Sequence, residues 1–113
     1  MALGSAALGV AAGALESALA YASLHSATPN SSGSNETTAA RVAVSWDVAG
    51  GVLSASGLEF EGVASNGDVV AVGFWSAAEG GTFYGSLALT GDSAANAAGE
   101  YTVESVEITV SAS

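Results

Sequence analysis

The chain has 113 residues, which suits a single domain that folds without help from metal ions or disulfides. It has eleven acidic residues and one basic residue, and the resulting net charge of −10 argues against binding to nucleic acid or to anionic membranes. Cysteine is absent, which excludes disulfides and thiolate metal sites. Only 11% of residues are charged, so the surface suits packing against other protein.

The N-terminal segment, residues 1–22, is rich in alanine and predicts a helix. Its apolar residues recur at a spacing that places several of them on one helical face: Leu8, Ala12, Leu15 and Leu19. Glycines and Glu16 interrupt the stretch, and no basic residue precedes it. We therefore expect neither a membrane span nor a signal peptide here.

Residues 23–113 predict an antiparallel β domain, so the chain as a whole is expected to be one mainly β domain with one N-terminal helix. A short first strand is predicted near "ASLHSA". Residues 28–38 contain Pro, Gly, Asn and Ser and predict a loop that is mobile or reaches a neighbouring molecule. From Arg41 onward the apolar residues alternate with a period of two, and Gly-rich turns separate the strands. This pattern predicts an antiparallel sandwich or a barrel-like domain.

Three details of the β region are specific enough to be checked against a structure. Residues 41–47 alternate over their whole length and predict one strand. The dipeptide Asn66-Gly67 predicts a two-residue hairpin with a type I′ turn. In the last strand the apolar residues change faces near Ser105, which predicts a β-bulge at that point.

The residue types that carry chemistry are scarce. His25 is the only histidine, which is too few for a transition-metal site, and we expect it to be packed and hydrogen-bonded rather than catalytic. Alternating glutamates are expected on solvent-facing strands, where paired carboxylates are common: Glu59, Glu61, Glu100 and Glu104. The glycines lack the order of a phosphate loop, and no lysine is present. We therefore predict no catalytic, cofactor-binding or metal-binding residue, and no enzyme.

Arg41 is the only fixed side-chain cation. We expect it to pair with Glu36, with Asp47 or with an acidic residue of a neighbouring molecule. A buried bidentate ion pair would fix the register of the strand that carries Arg41, whereas an exposed ion pair would contribute little to stability.

Residues 71–91 hold two adjacent aromatic pairs on either side of Gly80-Gly81. Because neighbouring residues on a strand point to opposite faces, both faces of this hairpin carry large rings. We expect Phe74 and Phe83 on the core face, and Trp75 and Tyr84 on the other face. That second face must meet the helix, a second sheet or another subunit. The candidate interface residues are Phe74, Trp75, Phe83, Tyr84 and Arg41.

Two motifs together carry a resemblance to a known family. The first is "SLHSATPNSSGSNE" followed by "ARVAVSW", with matches at Ser23, Leu24, His25, Ala27, Pro29, Gly33, Asn35, Glu36, Arg41 and Trp46. The second is "GFWSAAEGGTFYG" at 73–85. The chain resembles small virion structural proteins of actinobacterial tailed phages, often labelled tail fibre or minor capsid proteins. The resemblance covers most of residues 15–90 and implies no catalytic residue.

The resemblance implies a virion structural protein that is assembled in the host cytoplasm and associates with itself and with capsid or tail proteins. The compact size and the absence of fibre-like repeats favour a capsid decoration protein on the head exterior. A tail fibre, tail-tip or baseplate component is the alternative. A further alternative is a carbohydrate-binding module in which Trp75 and Tyr84 stack on sugar rings. No cofactor, nucleic acid or membrane partner is expected.

Overall fold

A computed structural model describes residues 5–49, 51–89 and 94–110, which form two antiparallel β-sheets and one N-terminal helix. The elements are α1 (Ser5–Ala18), β1 (Tyr21–His25), β2 (Val42–Ala43), β3 (Asp47–Ala49), β4 (Val52–Phe60), β5 (Ala71–Trp75), β6 (Phe83–Ala88) and β7 (Tyr101–Thr109). Sheet A has the strand order β2-β1-β5-β6, and sheet B has the order β3-β4-β7. The mainly β, sandwich-like fold is confirmed, and within the described residues neither sheet closes into a barrel.

Helix α1 packs on β3 and β4 through the apolar face that its sequence predicts. Ala12 and Leu19 are buried, and the amide of Leu19 donates to the carbonyl of Leu15 across the last turn. The helix ends at Ala18, short of the predicted limit at residue 22, because Tyr21 already pairs with β5 as the first residue of β1. No helix in the described part of the chain is long and apolar enough to cross a lipid bilayer.

The prediction of one strand over residues 41–47 is wrong, because the chain changes sheets there. Val42 and Ala43 pair with β1 in sheet A, whereas Asp47 begins β3 in sheet B. Trp46 lies between the two strands, is buried, and donates its indole N–H to the carbonyl of Leu19 at 2.8 Å. The alternation of apolar residues persists through the crossing because every second side chain remains at least partly buried. The alternation does not indicate which strand is the pairing partner.

The buried residues of β4 and of β7 move from one face of their strand to the other at the same point along the pair, without a shift of register. Ser56 pairs with Ser105 and Leu58 pairs with Val103, so the register is the same on both sides of the change. Gly57, opposite the same point, has a φ of 65°, a conformation that favours glycine. The change of phase near Ser105 is therefore confirmed, but it comes from Gly57 on the partner strand and not from the predicted bulge.

The Asn66-Gly67 turn connects the two sheets and does not form a hairpin, since β4 lies in sheet B and β5 in sheet A. The amide of Gly67 donates to the carbonyl of Ala64 at 2.8 Å, so Asn66 is the third residue of the turn. Its φ of 55° is the positive value that a type II turn requires there. The type I′ prediction is wrong because the glycine follows the turn position that needs a positive φ.

Strand β5 is buried on both of its faces, at all five of its residues. Val72 and Phe74 point into the core between the sheets, where Phe74 lies 5.4 Å from Trp46, centroid to centroid. Ala71, Gly73 and Trp75 point to the opposite face of sheet A. What covers that opposite face defines the candidate site.

Candidate functional site

Residues 26–41, called the closing segment, cover the face of sheet A that points away from sheet B. The amide of Ser26 donates to the carbonyl of Asn35 at 2.9 Å, and the amide of Thr37 donates to the carbonyl of Leu24 at 2.8 Å. The segment thus pairs with the end of β1 and folds back over the sheet. Neither the helix, nor a second sheet, nor another subunit is needed to cover Trp75, contrary to the three options that the sequence left.

The closing segment is held in shape by its own polar groups. The side-chain oxygen of Asn30 accepts bonds from the amides of Ser32 at 2.9 Å and Ser34 at 3.3 Å. Gly33 lies so close to the indole of Trp75 that an added Cβ would be 2.5 Å from a ring carbon, and its φ is 79°. The prediction of a loop that is mobile or reaches a neighbour is therefore replaced by a loop packed on its own sheet.

Arg41 ends the closing segment and fastens it to the β5–β6 hairpin. Its guanidinium donates two bonds to the carboxylate of Glu36, at 2.9 and 3.0 Å, which confirms the first of the predicted partners. It also donates to the carbonyls of Ala77 at 2.9 Å and Gly80 at 2.8 Å. The guanidinium carbon lies 3.7 Å from the ring centre of Trp75, and the Arg41 side chain is 8% exposed. All of these contacts of Arg41, the only lysine or arginine of the protein, are made within the same chain.

A chain of three hydrogen bonds runs beneath the closing segment. The indole N–H of Trp75 donates to the hydroxyl oxygen of Ser23 at 2.8 Å. The ring nitrogen Nε2 of His25 lies 2.7 Å from the same hydroxyl, and Nδ1 lies 2.8 Å from the carbonyl oxygen of Ser34. Because a carbonyl only accepts, Nδ1 carries the proton, and Nε2 accepts the hydroxyl proton of Ser23. The Ser23 hydroxyl therefore accepts one hydrogen bond and donates another, and each ring nitrogen of His25 has one defined role.

His25 is held neutral by its surroundings. Burial lowers the pKa of His25 below its ordinary value of 6.5, and the nearby charge of Arg41 lowers it slightly further. The bond to Ser34 and the charge of Glu36 act in the opposite direction without cancelling the burial. Ser23 and His25 are 0% exposed, so their nucleophile-and-base geometry faces protein on all sides. The expectation of a packed, hydrogen-bonded histidine agrees with this environment.

Gly73 makes the close packing of the Ser23–His25 pair possible. A Cβ at this position would lie 2.5 Å from Nε2 of His25 and 2.9 Å from the hydroxyl oxygen of Ser23. The pairing of β1 with β5 places Gly73 directly opposite Ser23. The glycine is therefore required for space, and the hydrogen-bonded pair occupies the volume that a side chain would take.

The candidate interface residues separate into buried and exposed groups. Phe74 and Trp75 are buried, Arg41 is engaged as described, and Phe83 is half-buried against Trp75, with ring centres 5.0 Å apart. Tyr84 alone of these residues is well exposed, at 50%. Self-association through this set stays a prediction, and in the described conformation only Tyr84 is available for it. Trp75 offers no free ring face for a sugar, so the stacking platform expected with Tyr84 is incomplete.

A β-bulge in β6 explains why the faces of the hairpin differ from the expected ones. Phe74 pairs with Gly85, but Trp75 pairs with Phe83, so Tyr84 is an extra residue without a direct partner across the strand pair. Phe83 consequently lies on the same face as Trp75 and His25, and its ring centre is 5.9 Å from that of His25. The prediction of Phe83 on the core face is wrong because a strict period of two does not account for the extra residue.

The paired glutamates line an open groove at the end of sheet B, as expected of a solvent-facing surface. Glu59, Glu61, Glu100 and Glu104 are all exposed and border a groove of about 690 Å³. In the described ranges, no group of three or more His, Cys, Asp or Glu residues is arranged to hold a metal ion. The groove therefore places four carboxylates on the solvent-facing surface.

Sequence reasoning missed how Ser23, Gly33 and Ser34 act together. All three lie within the motif "SLHSATPNSSGSNE", which was singled out for its likeness to other proteins, but no physical role followed from the motif alone. The contacts join residues up to 52 positions apart, as between Ser23 and Trp75. The one available signal was the unusual glycine at position 73 between large apolar residues, which indicates close approach by another group.

The open sandwich and the buried hydrogen bonds of Trp75, Ser23 and His25 define a small β domain whose buried polar groups hold its own loop in place. Residues 5–111 match the family model described as "Podophage GP4 fiber I protein gp80", and the chain belongs to this family. No curated protein and no solved structure gives a significant match. The family is one of phage fibre proteins, so the chain is a phage fibre-type protein, which agrees with the phage part of the resemblance.

Proposed function

We propose that the chain is a non-enzymatic structural subunit of a phage tail fibre. The observation that carries this proposal is the family match over residues 5–111, which covers nearly all of the chain. The fold supports the proposal, because the only histidine and the only basic side chain both serve to pin the closing segment to sheet A. The groups that would perform chemistry are thus used for internal rigidity, which a structural subunit needs.

The tail fibre is favoured over capsid decoration, which the sequence had ranked first. Small size and the absence of fibre-like repeats, which favour decoration in the sequence analysis, do not separate the two locations. The family description names a fibre protein and does not mention the capsid. The proposed site of the protein is accordingly the tail of the virion.

The proposed partners are further copies of the same chain and neighbouring tail proteins. The net charge of −10 and the engagement of Arg41 leave no free basic side chain for nucleic acid or anionic lipid. We also propose assembly in the host cytoplasm and an actinobacterial host, the latter supported only by the motif resemblance described above.

Gold-labelled antibody against this chain, applied to purified virions and viewed by electron microscopy, tests the location. We expect label on the tail or its fibres, with few copies for each particle. Label spread over the head would overturn the tail assignment and restore the decoration alternative. Virions of an unrelated phage, treated with the same antibody, provide the control for non-specific labelling.

A further inference from the structure

The outer strands of the two sheets differ in how well they are protected against pairing with another chain. Native proteins protect such edges by making them short or by charging them. Strand β2 has two residues, β3 has three, and β7 carries Glu104 and Glu107. Strand β6 has six residues, and the stretch 80–89 that contains it has no charged residue. Among the described strands, β6 is therefore the long edge without charge protection.

The outer edge of β6 is also open in space. A groove of about 580 Å³ separates the C-terminal end of β6 from β7, and in the described part of the chain no strand pairs with the outer edge of β6. Leu87 and Leu89 border the groove on the β6 side, and Glu104 and Glu107 border it on the β7 side. An additional strand entering here meets apolar side chains on one wall and carboxylates on the other.

We propose that the edge of β6 pairs antiparallel with β6 of a second copy of this chain. The pairing joins two four-stranded sheets into one continuous sheet across a two-fold axis. This inference rests on the proposed function as a self-associating fibre subunit, and it names the surface through which two copies meet.

If two copies of this chain pair edge to edge, charge favours the pairing of β6 with β6. Each copy has a net charge of −10, and its only basic side chain, Arg41, is 8% exposed and already paired. No copy can therefore offer a basic side chain to the carboxylates of its neighbour. Pairing of β7 with β7 would bring Glu104 and Glu107 close to their own copies, which is unfavourable. Pairing of β6 with β6 joins two strands that themselves carry no charged residue, and the carboxylates of β7 lie across the groove from them and not in the paired strands.

The exposure pattern of β6 sets the register of the proposed pair. Tyr84, Ser86 and Ala88 are exposed, whereas the residues between them are half-buried. An axis through Ser86 places the small Ser86 side chains opposite each other and Tyr84 opposite Ala88 of the second copy. Exposed residues then meet exposed residues, and the half-exposed ring of Tyr84 gains a partner surface.

Single cysteines test this arrangement cleanly, because the chain has no native cysteine. Directly opposite residues in an antiparallel pair have Cα atoms about 4.5–5.5 Å apart, a distance that a disulfide can bridge. We expect Ser86→Cys to form a disulfide-linked dimer rapidly under mild oxidation. The matched control is Ser105→Cys, an exposed serine on the charged edge strand β7, which we expect to remain largely monomeric. Equal or faster cross-linking of the control would overturn the proposal.

A charge placed on the edge provides the second test. Ser86→Glu puts two like charges opposite each other at the axis, and we expect dimerisation, measured by analytical ultracentrifugation, to weaken about tenfold or more. Ser105→Glu should leave dimerisation unchanged, and circular dichroism verifies that both variants fold. Dimerisation of the unmodified chain should strengthen with added salt, because two acidic copies repel each other.

The outcomes separate this inference from the proposed function. A purified chain that stays monomeric at all salt concentrations, with Ser86→Cys cross-linking to a different protein in virions, would overturn the second copy as occupant. Tail labelling by antibody would then still support the fibre assignment. Dimerisation that survives Ser86→Glu would likewise reject the β6 edge while leaving the fibre assignment intact.

Discussion

At the scale of single residues, Arg41 shows how one cation can organise a protein with many carboxylates. Its planar group satisfies Glu36, two hairpin carbonyls and the face of Trp75 at the same time. A lysine could not reproduce this set, because its donors radiate from a single nitrogen. Arg41 therefore couples the closing segment to the hairpin loop between β5 and β6.

Replacing Arg41 with Gln should lower the free energy of unfolding by about 2–3 kcal/mol, because Glu36 and two carbonyls lose their donors. Urea unfolding followed by tryptophan fluorescence measures the change. Glu79→Gln, which alters an exposed carboxylate in the same hairpin loop, is the control and should change the free energy by less than about 0.5 kcal/mol. An Arg41→Gln variant as stable as the parent protein would contradict the role of the guanidinium in fastening the closing segment.

His25 should make the stability of the protein depend on pH. Its pKa in the folded protein lies below 6.5, so as the pH falls through 6.5 the unfolded chain takes up a proton that the folded chain does not. Stability is therefore lost on acidification from neutral pH down to the folded pKa, and below that pKa His25 causes no further loss.

Unfolding by urea at a series of pH values measures this dependence. His25→Asn keeps a donor near the position of Nδ1 but cannot be protonated in this range, and we expect its stability to change less between pH 7.5 and the folded pKa of His25. All other ionisable side chains are the same in the two proteins, so the difference between the two curves isolates His25. Parallel curves would contradict the assigned role of the buried ring.

At the scale of elements, the sequence predicted those whose bounds are set by local periodicity and turn residues. The helix, the short strand before the loop and the β5–β6 hairpin with its Gly80-Gly81 turn all follow from periodicity and turn residues. The crossing at Trp46 and the part that Gly57 plays in the change of phase near Ser105 could not be predicted in the same way. Both depend on which distant strand is the partner, and periodicity contains no information about that.

Gly33→Ala tests the packing of the closing segment on sheet A. The new Cβ would collide with the Trp75 ring, and the φ of 79° disfavours alanine. We expect the free energy of unfolding to fall by about 2–3 kcal/mol. Urea unfolding measures the loss, and limited proteolysis between residues 28 and 38 should become faster. A variant that unfolds like the parent and resists protease would show that the segment is not anchored there.

Gly13→Ala provides the contrasting substitution in helix α1. An added Cβ at Gly13 meets no atom within 4 Å, so the substitution costs no packing. We expect it to raise the free energy of unfolding by about 0.5–1 kcal/mol, because alanine has the higher helix propensity. Thermal unfolding measures the gain. A loss of stability would indicate that the face bearing Gly13 is packed more closely than described.

At the scale of the whole molecule, the uncompensated negative charge opposes folding. Self-repulsion among eleven carboxylates with one basic partner destabilises a compact chain, and salt screens it. We expect the midpoint of thermal unfolding to rise as sodium chloride is increased. The double substitution Glu59→Gln and Glu61→Gln should raise the midpoint at low salt and reduce its salt dependence. A midpoint that falls with salt would contradict this account.

The candidate site was only partly predictable from the sequence. The scarcity of cations placed Glu36 among three candidate partners of Arg41, and the aromatic hairpin marked the right strands. The covering of Trp75 by residues 26–41 did not follow, because the Pro, Asn, Ser and Gly residues that dominate positions 29–35 are typical of exposed turns. Its fold depends on backbone bonds such as that from Thr37 to Leu24, which no side-chain pattern records.

The hydrogen-bond chain beneath the closing segment provides natural reporters for nuclear magnetic resonance. The ring protons on Nδ1 of His25 and on the indole of Trp75 are shielded from water as long as residues 26–41 stay in place. The indole proton of Trp46, bonded to Leu19 on the other side of sheet A, is an internal reference. Solvent exchange that is faster at His25 and Trp75 than at Trp46 would reveal local lifting of the segment, and equal rates would reveal unfolding of the whole domain.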